Sequence, residues 1–126
     1  MKQLLDTQIF IWFVIGSSRI TPSIRAQIEN HENLLSIVSI WEIAIKSSIG
    51  KLNLELSIDD LVEQQVINNG IELLNVMVPH LSIVATLPLH HRDPFDRLLI
   101  AQAIAEQIPI VGADQMFDSY DVERLW

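Results

Sequence analysis

The feature that most constrains the fold is an alternation of short apolar segments with longer segments of helical spacing. Each apolar segment is only a few residues long, as in a buried β-strand, and the next segment begins at a helix-start signal. Thr21 is a favoured helix cap, and Pro22 is favoured at the first helical position. Gly50 and Gly70 stand where helices end. Strands that alternate with helices predict an α/β fold with a mainly parallel sheet.

The alternation predicts five strands and six helices. The predicted strands cover residues 3–5, 34–38, 71–76, 108–111 and 122–126. The predicted helices cover residues 6–13, 22–30, 40–49, 57–70, 79–86 and 94–106. No repeat or flexible linker interrupts the pattern, and we expect residues 1–126 to form a single domain.

Composition excludes several classes of protein. The chain has no cysteine, which rules out disulfides, thiolate metal sites and a cysteine nucleophile. No apolar run approaches the roughly 20 residues of a membrane span, and we expect a cytoplasmic protein without a membrane partner. The net charge of −8 is the wrong sign for a phosphate-binding surface. Either the partner is not nucleic acid, or the acids are concentrated at a site that works with cations.

The positions of the acidic residues favour a cation site. Asp6 directly follows the first predicted strand, and Asp114 follows the fourth. Glu42 lies in the first turn of the helix after the second strand, and Asp96 lies in the first turn of its own helix. In a parallel sheet, such junctions meet at the carboxyl edge, where α/β proteins bind ligands. The four acids are therefore predicted to converge, and their mutual repulsion then calls for cations or protons.

Helix capping is the alternative interpretation of the same acids. Ser39 to Glu42 has the pattern of a capping box, and Asp93 to Asp96 is similar. Asp6 and Asp114 fit as simple N-caps, since acids are favoured at helix N-termini. If the acids do converge, oxygen ligands select Mg²⁺ or Mn²⁺. Such an ion activates water for phosphodiester hydrolysis without a covalent nucleophile.

The segments around these acids resemble a known family. They are Leu4–Thr7, Ser39–Lys46, His91–Ala103 and the tail Val111–Trp126, in which the run Arg-Asp-Pro-Phe-Asp-Arg at residues 92–97 is the most specific. In these places the chain is similar to PIN-domain ribonucleases, and most similar to the VapC-type toxins of toxin–antitoxin pairs. The resemblance implies a three-layer α/β/α sandwich, Mg²⁺ or Mn²⁺ dependence, cleavage of RNA and a cognate antitoxin. For a nuclease of this kind we also expect a homodimer.

The resemblance also implies roles for particular residues. Asp6, Glu42 and Asp96 correspond to the core metal ligands, and Asp114 corresponds to a fourth, more variable acid. Thr7 corresponds to a residue that orients Asp6 or a bound water. The family commonly has Thr or Ser where this chain has Gly112, and this departure puts full activity in question.

Four further side chains are candidates with two interpretations each. Lys46 is spaced for an ion pair with Glu42 and also faces the predicted site. Arg92 is either a phosphate contact or a surface arginine. Arg97 is either a phosphate contact or the partner of a site acid. Asp118 either reaches the metal edge from one helical turn after Asp114, or is a solvated acid.

Two histidines and the tryptophans receive a lesser role from the sequence. His90 and His91 have no carboxylate partner that the sequence identifies. The tryptophans can stack nucleobases, but aromatic residues in apolar runs are more often core.

Two other functions compete with the nuclease. One is a receiver-type signalling domain, which also carries acids and Mg²⁺ at a sheet edge, but this chain lacks the lysine that such a domain needs after a late strand. The other is a PIN-like binding module that does not cleave, for which Gly112 is the only argument.

Overall fold

A computed structural model describes residues 1–126, and its centre is one sheet of five parallel strands. The strands are β1 (Lys2–Leu5), β2 (Glu32–Ser36), β3 (Glu72–Leu74), β4 (Ile110–Val111) and β5 (Arg124–Leu125). Their order in the sheet is β3-β2-β1-β4-β5. In the central pair, Leu4 is opposite Leu34 and Leu5 is opposite Leu35. A receiver-type domain has the order 2-1-3-4-5, so that interpretation of the sequence is wrong.

Helices connect the strands and cover both faces of the sheet. They are α1 (Thr7–Ile15), α2 (Pro22–Glu29), α3 (Ile37–Ser48), α4 (Ile58–Leu61, continued as a π-helix over Val62–Ile67), α5 (Val78–Thr86) and α6 (Pro94–Glu106), with a 3₁₀-helix over Gln115–Ser119. No helix is both long and apolar enough to cross a membrane.

Adjacent residues of each strand enter different cores, because side chains alternate between the faces of a sheet. Leu5, Leu35 and Val111 pack with α1, α2, α4 and part of α3. Their neighbours Leu4, Leu34 and Ile110 pack with α6, Phe117 and Tyr120 on the other face. The predicted three-layer α/β/α sandwich with a parallel sheet is thereby confirmed.

The start of α3 differs from the sequence prediction. The helix begins at Ile37 rather than Ile40, and its N-cap is Ser36, whose hydroxyl accepts a hydrogen bond from Val38 N at 3.1 Å. Ile37 and Val38 are β-branched and read as strand, but the Ser36 cap decides their conformation. The predicted capping box of Ser39 and Glu42 is wrong.

Smaller differences concern element lengths. β3 and β4 are shorter than predicted, and β5 is reduced to two residues. The predicted helix over residues 57–70 is one α-turn followed by a π-helix that ends at Ile67. β3 and β5 are the two edge strands of the sheet, and the ends of strands and helices are the positions that local pattern defines least well.

Candidate metal centre

An open cavity of about 400 Å³ lies at the carboxyl edge of the sheet. All four predicted acids line it, together with residues from α1, α3, α6 and the segment after β4. The lining residues are Asp6, Thr7, Gln8, Ile11, Trp12, Glu42, Lys46, Asp93, Asp96, Ala113, Asp114 and Phe117. The structure thus brings the acids to one cavity, as their positions in the sequence predicted.

Asp6 is the most deeply placed of these acids, with 7% of its surface exposed. It follows β1 directly and occupies the N-cap position of α1 without capping the helix through its side chain. Burial, followed by the nearby charge of Asp96, raises the pKa of Asp6 from 3.8 to about 7. No cationic side chain pairs with Asp6, so a bound cation would relieve the cost of ionising it.

Glu42 lies in the second turn of α3 and is paired with Lys46. Their Oε2 and Nζ atoms are 2.8 Å apart, which confirms the predicted ion pair, and Lys46 also lines the cavity. The hydrogen bond to Glu42 raises the pKa of Lys46 above its usual range.

Thr7 ties α1 to α3 rather than contacting Asp6 through a side-chain hydrogen bond. Its hydroxyl lies 2.7 Å from Ser39 Oγ, and both residues are buried. Ser39, which the sequence assigned to a helix cap, therefore helps to hold α1 and α3 together beneath the cavity.

Asp96 stands in the first turn of α6 and contacts a histidine. His91 Nε2 lies 3.1 Å from Asp96 Oδ2. Burial and the neighbouring charge of Asp93 raise the pKa of Asp96 from 3.8 to about 6, and the contact with His91 opposes this shift. Asp93 caps α6 as predicted, because its Oδ1 accepts from Phe95 N at 2.8 Å and from Asp96 N at 3.3 Å.

Asp114 is exposed and caps the 3₁₀-helix, accepting a hydrogen bond from Met116 N at 2.9 Å. Asp114 therefore both caps a helix and lines the cavity, two roles that the sequence presented as alternatives. Asp118 does not line the cavity. It pairs with Arg124 through two contacts of 2.9 and 3.0 Å, and the guanidinium lowers the pKa of Asp118.

The most compact set of metal-ligating atoms is not formed by the four predicted acids. One atom each of His91, Asp93 and Asp96 lie within 4.8 Å of one another. The four acids face the same cavity at wider spacing. Two of the four acids have side-chain partners, Lys46 on Glu42 and His91 on Asp96.

The two candidate arginines near α6 have different surroundings. Arg97 is not paired with a site acid, and that alternative is wrong. Its guanidinium donates to the carbonyl oxygens of Pro88 at 2.9 Å and Leu87 at 3.1 Å, and so it fastens the loop that leads to His91. Arg92 is exposed and does not line the cavity.

Gly112 lies in close contact with Phe117 and Asp6, at the position where the resemblance leads one to expect Thr or Ser. A Cβ atom at this position would lie 3.1 Å from Phe117 Cε2 and 3.5 Å from Asp6 Cβ. A side chain at this position would therefore require the Phe117 ring to shift by a few tenths of an ångström.

Sequence reasoning undervalued His91 and Trp12. The signal for His91 was its place five residues before Asp96, next to the helix cap, but only the folded loop shows which carboxylate it meets. Trp12 is six residues after Asp6 on α1, a spacing that leaves open whether it faces core or cavity.

Comparisons with known proteins agree with this architecture. Residues 4–123 match the family model of the PIN domain. VapBC2 of Rickettsia felis, bound to a fragment of promoter DNA, is similar in fold with a TM-score of 0.74 at 15% identity, over 99% of this chain and 98% of that one. DNA-bound VapBC of Salmonella typhimurium gives 0.74 at 14% identity, over 99% and 97%. FitAcB of Neisseria gonorrhoeae gives 0.68 at 19%, over 98% and 96%. No curated protein matches the chain in sequence.

Proposed function

Because this chain belongs to the PIN-domain family, we propose that it is a metal-dependent endoribonuclease and the toxin of a toxin–antitoxin pair. Residues 1–126 form its nuclease domain. Its substrate is RNA, its cofactor is Mg²⁺ or Mn²⁺, and it acts in the cytoplasm. The observation that carries the proposal is the convergence of Asp6, Glu42, Asp96 and Asp114 on one cavity at the sheet edge.

The donor set fits a hard divalent cation. All four proposed ligands supply carboxylate oxygens, the ligands that Mg²⁺ and Mn²⁺ prefer. Asp6 is the central ligand because it is buried and lacks a cationic partner, while Glu42 and Asp96 complete the set from α3 and α6. A bound ion would lower the pKa of a water molecule and neutralise charge on the scissile phosphate.

The chain's own residues perform the remaining tasks. The Thr7–Ser39 contact at 2.7 Å holds the start of α1 against α3, and with it the relative positions of Asp6 and Glu42. Lys46 pairs with Glu42 and offers a cation to the phosphate backbone. Asp114 is exposed at the mouth of the cavity and is the most variable of the proposed ligands. Arg92 is a proposed phosphate contact outside the cavity.

The negative charge suits control by a basic partner. A net charge of −8 disfavours RNA in the absence of metal and favours a basic segment of an antitoxin at the acidic site. A protein of similar fold was solved in a toxin–antitoxin complex from Klebsiella pneumoniae, which supports an antitoxin for this chain. Purification from the native host without any small basic partner would count against it.

We also propose a homodimer that uses α3. Four large apolar side chains along this helix and at its C-cap are exposed at intervals of four residues, and such a stripe is typical of a protein interface. They are Ile37, Trp41, Ile45 and Ile49.

The second candidate is a PIN domain that binds RNA or its antitoxin without cleaving. Gly112 is its only support, and the tight contact of Phe117 with this position explains the glycine by packing instead. All four acids remain, which favours the nuclease.

The decisive experiment is cleavage of a mixed RNA pool by purified, antitoxin-free protein in Mn²⁺, Mg²⁺ or EDTA. We expect cleavage with either ion, none in EDTA, and a loss of at least about 100-fold in Asp96→Asn, since even partners of metal ligands matter by 10–100-fold. Asp118→Asn is the matched control, because Asp118 is an exposed acid outside the cavity. Folded protein that binds Mn²⁺ without cleaving would support the binding module.

A further inference from the structure

Two tryptophans meet at the rim of the carboxylate cavity. Trp12 lines the cavity from α1, and its ring centroid lies 6.1 Å from that of Trp126 at an interplanar angle of 52°. Trp126 follows β5, so it emerges at the same edge of the sheet as Asp6 after β1 and Asp114 after β4. The parallel topology therefore places an aromatic pair and the acids side by side.

Packing accounts for only part of this pair. Trp12 is partly buried against the core beneath α1, but Trp126 keeps 45% of its surface exposed. An exposed indole that is not needed to fill the core is a large apolar surface facing solvent beside a polar cavity. Such a surface is suited to a flat ligand that stacks.

A positive charge lies against the same pair. The guanidinium carbon of the exposed Arg19 is 5.3 Å from the centre of the Trp12 ring. In a chain of net charge −8, this arginine is one of only eight basic residues. An aromatic surface with an adjacent guanidinium matches a nucleotide, whose base stacks and whose phosphate is anionic.

We propose that Trp12, Trp126 and Arg19 form a subsite for one unpaired nucleobase of an RNA strand whose scissile phosphate lies at the carboxylates. The proposal rests on the nuclease function proposed above and adds a base-binding position to it. Asp6 and Trp12 are six residues apart on one helix, about 9 Å along its axis. A base at the tryptophans and a phosphate at the acids can therefore belong to neighbouring nucleotides.

The subsite also explains how an acidic protein without a basic stripe holds RNA. Stacking does not depend on overall charge, and it tolerates any base because every base has a π-face. A base inside a duplex is already stacked on its neighbours, so the subsite selects single-stranded segments.

The test measures binding of a short, unstructured RNA and of an abasic strand of equal length by fluorescence anisotropy in Mn²⁺, with Asp96→Asn in every protein to prevent cleavage. Trp126→Leu keeps an apolar side chain but cannot stack well, and we expect it to bind the RNA about 10-fold more weakly. Trp126→Phe should stay within about 3-fold of the parent. The abasic strand should bind all three proteins equally.

Arg19→Gln serves as the second variant, because Arg19 is exposed and lies outside both cores. Arg19→Gln should weaken binding of the RNA and of the abasic strand alike. The slope of the logarithm of the binding constant against the logarithm of the salt concentration should become shallower by about one. Equal RNA affinity of Trp126→Leu and Trp126→Phe, or an equal loss on the abasic strand, would overturn the proposal and make the pair a packing contact.

Different measurements test the subsite proposal and the nuclease proposal, so either can be contradicted without the other. Cleavage of the same RNA by protein that retains Asp96 tests the nuclease. The affinities of Trp126→Leu and Trp126→Phe for the RNA and for the abasic strand test only stacking. Metal-dependent cleavage without a base-specific loss in Trp126→Leu removes the subsite and keeps the nuclease. A base-specific loss of RNA affinity in Trp126→Leu, without metal-dependent cleavage by the protein that retains Asp96, keeps the subsite and removes the nuclease.

Discussion

His91 decides how Asp96 is presented to the cavity. The contact of 3.1 Å occupies the Oδ2 atom of Asp96 and leaves the other carboxylate oxygen to a cation. The loop that carries His91 is held by Arg97 and by the Tyr120 hydroxyl, which accepts a hydrogen bond from His90 N at 3.1 Å. Several residues that do not line the cavity therefore position one proposed ligand.

Removal of the His91 side chain tests this role at the scale of one residue. We expect His91→Ala to weaken Mn²⁺ binding by about 10- to 100-fold in calorimetric titration, as is usual for partners of metal ligands. His91→Gln retains a donor and should recover much of the affinity. His90→Ala is the control, because the His90 ring packs on Tyr120 rather than on an acid. Unchanged Mn²⁺ affinity in His91→Ala would contradict the role.

At the scale of the element, α3 combines two surfaces. One face presents Glu42 and Lys46 to the cavity, and another exposes the apolar stripe that ends at Ile49. Trp41 of this stripe packs edge-on against Phe95, with ring centroids 5.0 Å apart, and Phe95 precedes Asp96. A partner that covers the stripe would thus also support the first turn of α6.

Charge introduced into the stripe should disrupt the proposed dimer. We expect the wild-type chain to have the mass of two copies in light scattering, and Ile49→Lys to dissociate at least about 10-fold more readily, because burying an unpaired charge is costly. Ile67→Lys is a matched control, since Ile67 is exposed to 57% and Ile49 to 59%, and Ile67 lies on the π-helix. A monomeric wild-type chain would contradict the dimer, and equal effects of the two variants would exclude α3.

At the scale of the whole molecule, the clustered acids set how stability depends on pH. In the metal-free protein, the pKa of Asp6 is about 7 and that of Asp96 about 6, both above the usual 3.8. The folded state therefore binds more protons than the unfolded state between about pH 4 and pH 7. The free energy of unfolding falls as pH rises through this window. Asp118 has a lowered pKa, so its opposite effect lies below the window.

Thermal melting in EDTA should show this destabilisation directly. We expect Tm to be lower at pH 7.5 than at pH 5, and Asp6→Asn to reduce the difference by raising Tm at pH 7.5. Mn²⁺ should raise the Tm of the wild-type chain at pH 7.5, because it binds the ionised folded state, and should raise that of Asp6→Asn much less. A Tm in EDTA that is higher at pH 7.5 than at pH 5 in both proteins would contradict the shifted pKa values.

The sequence by itself determined the architecture and the acids that meet. Short apolar segments between helix-start signals were enough to predict a parallel α/β sheet, because strand and helix periods are local properties. Parallel strands end at one edge of a sheet, so the residues after β1 and β4 were expected at the same edge. The same local logic identified Asp93 as a helix cap and Lys46 as the partner of Glu42.

Only the tertiary structure decided which partners hold those acids. Because Ser36 caps α3, Ser39 lies inside the helix, where its hydroxyl contacts Thr7. The folded loop before α6 brings His91 to Asp96. The order of the strands placed Trp126 beside Trp12, and the packing of Phe117 brought its ring against Gly112. These contacts join residues distant in sequence or separated by irregular loops. Their energies depend on distances and burial that exist only once the chain is folded.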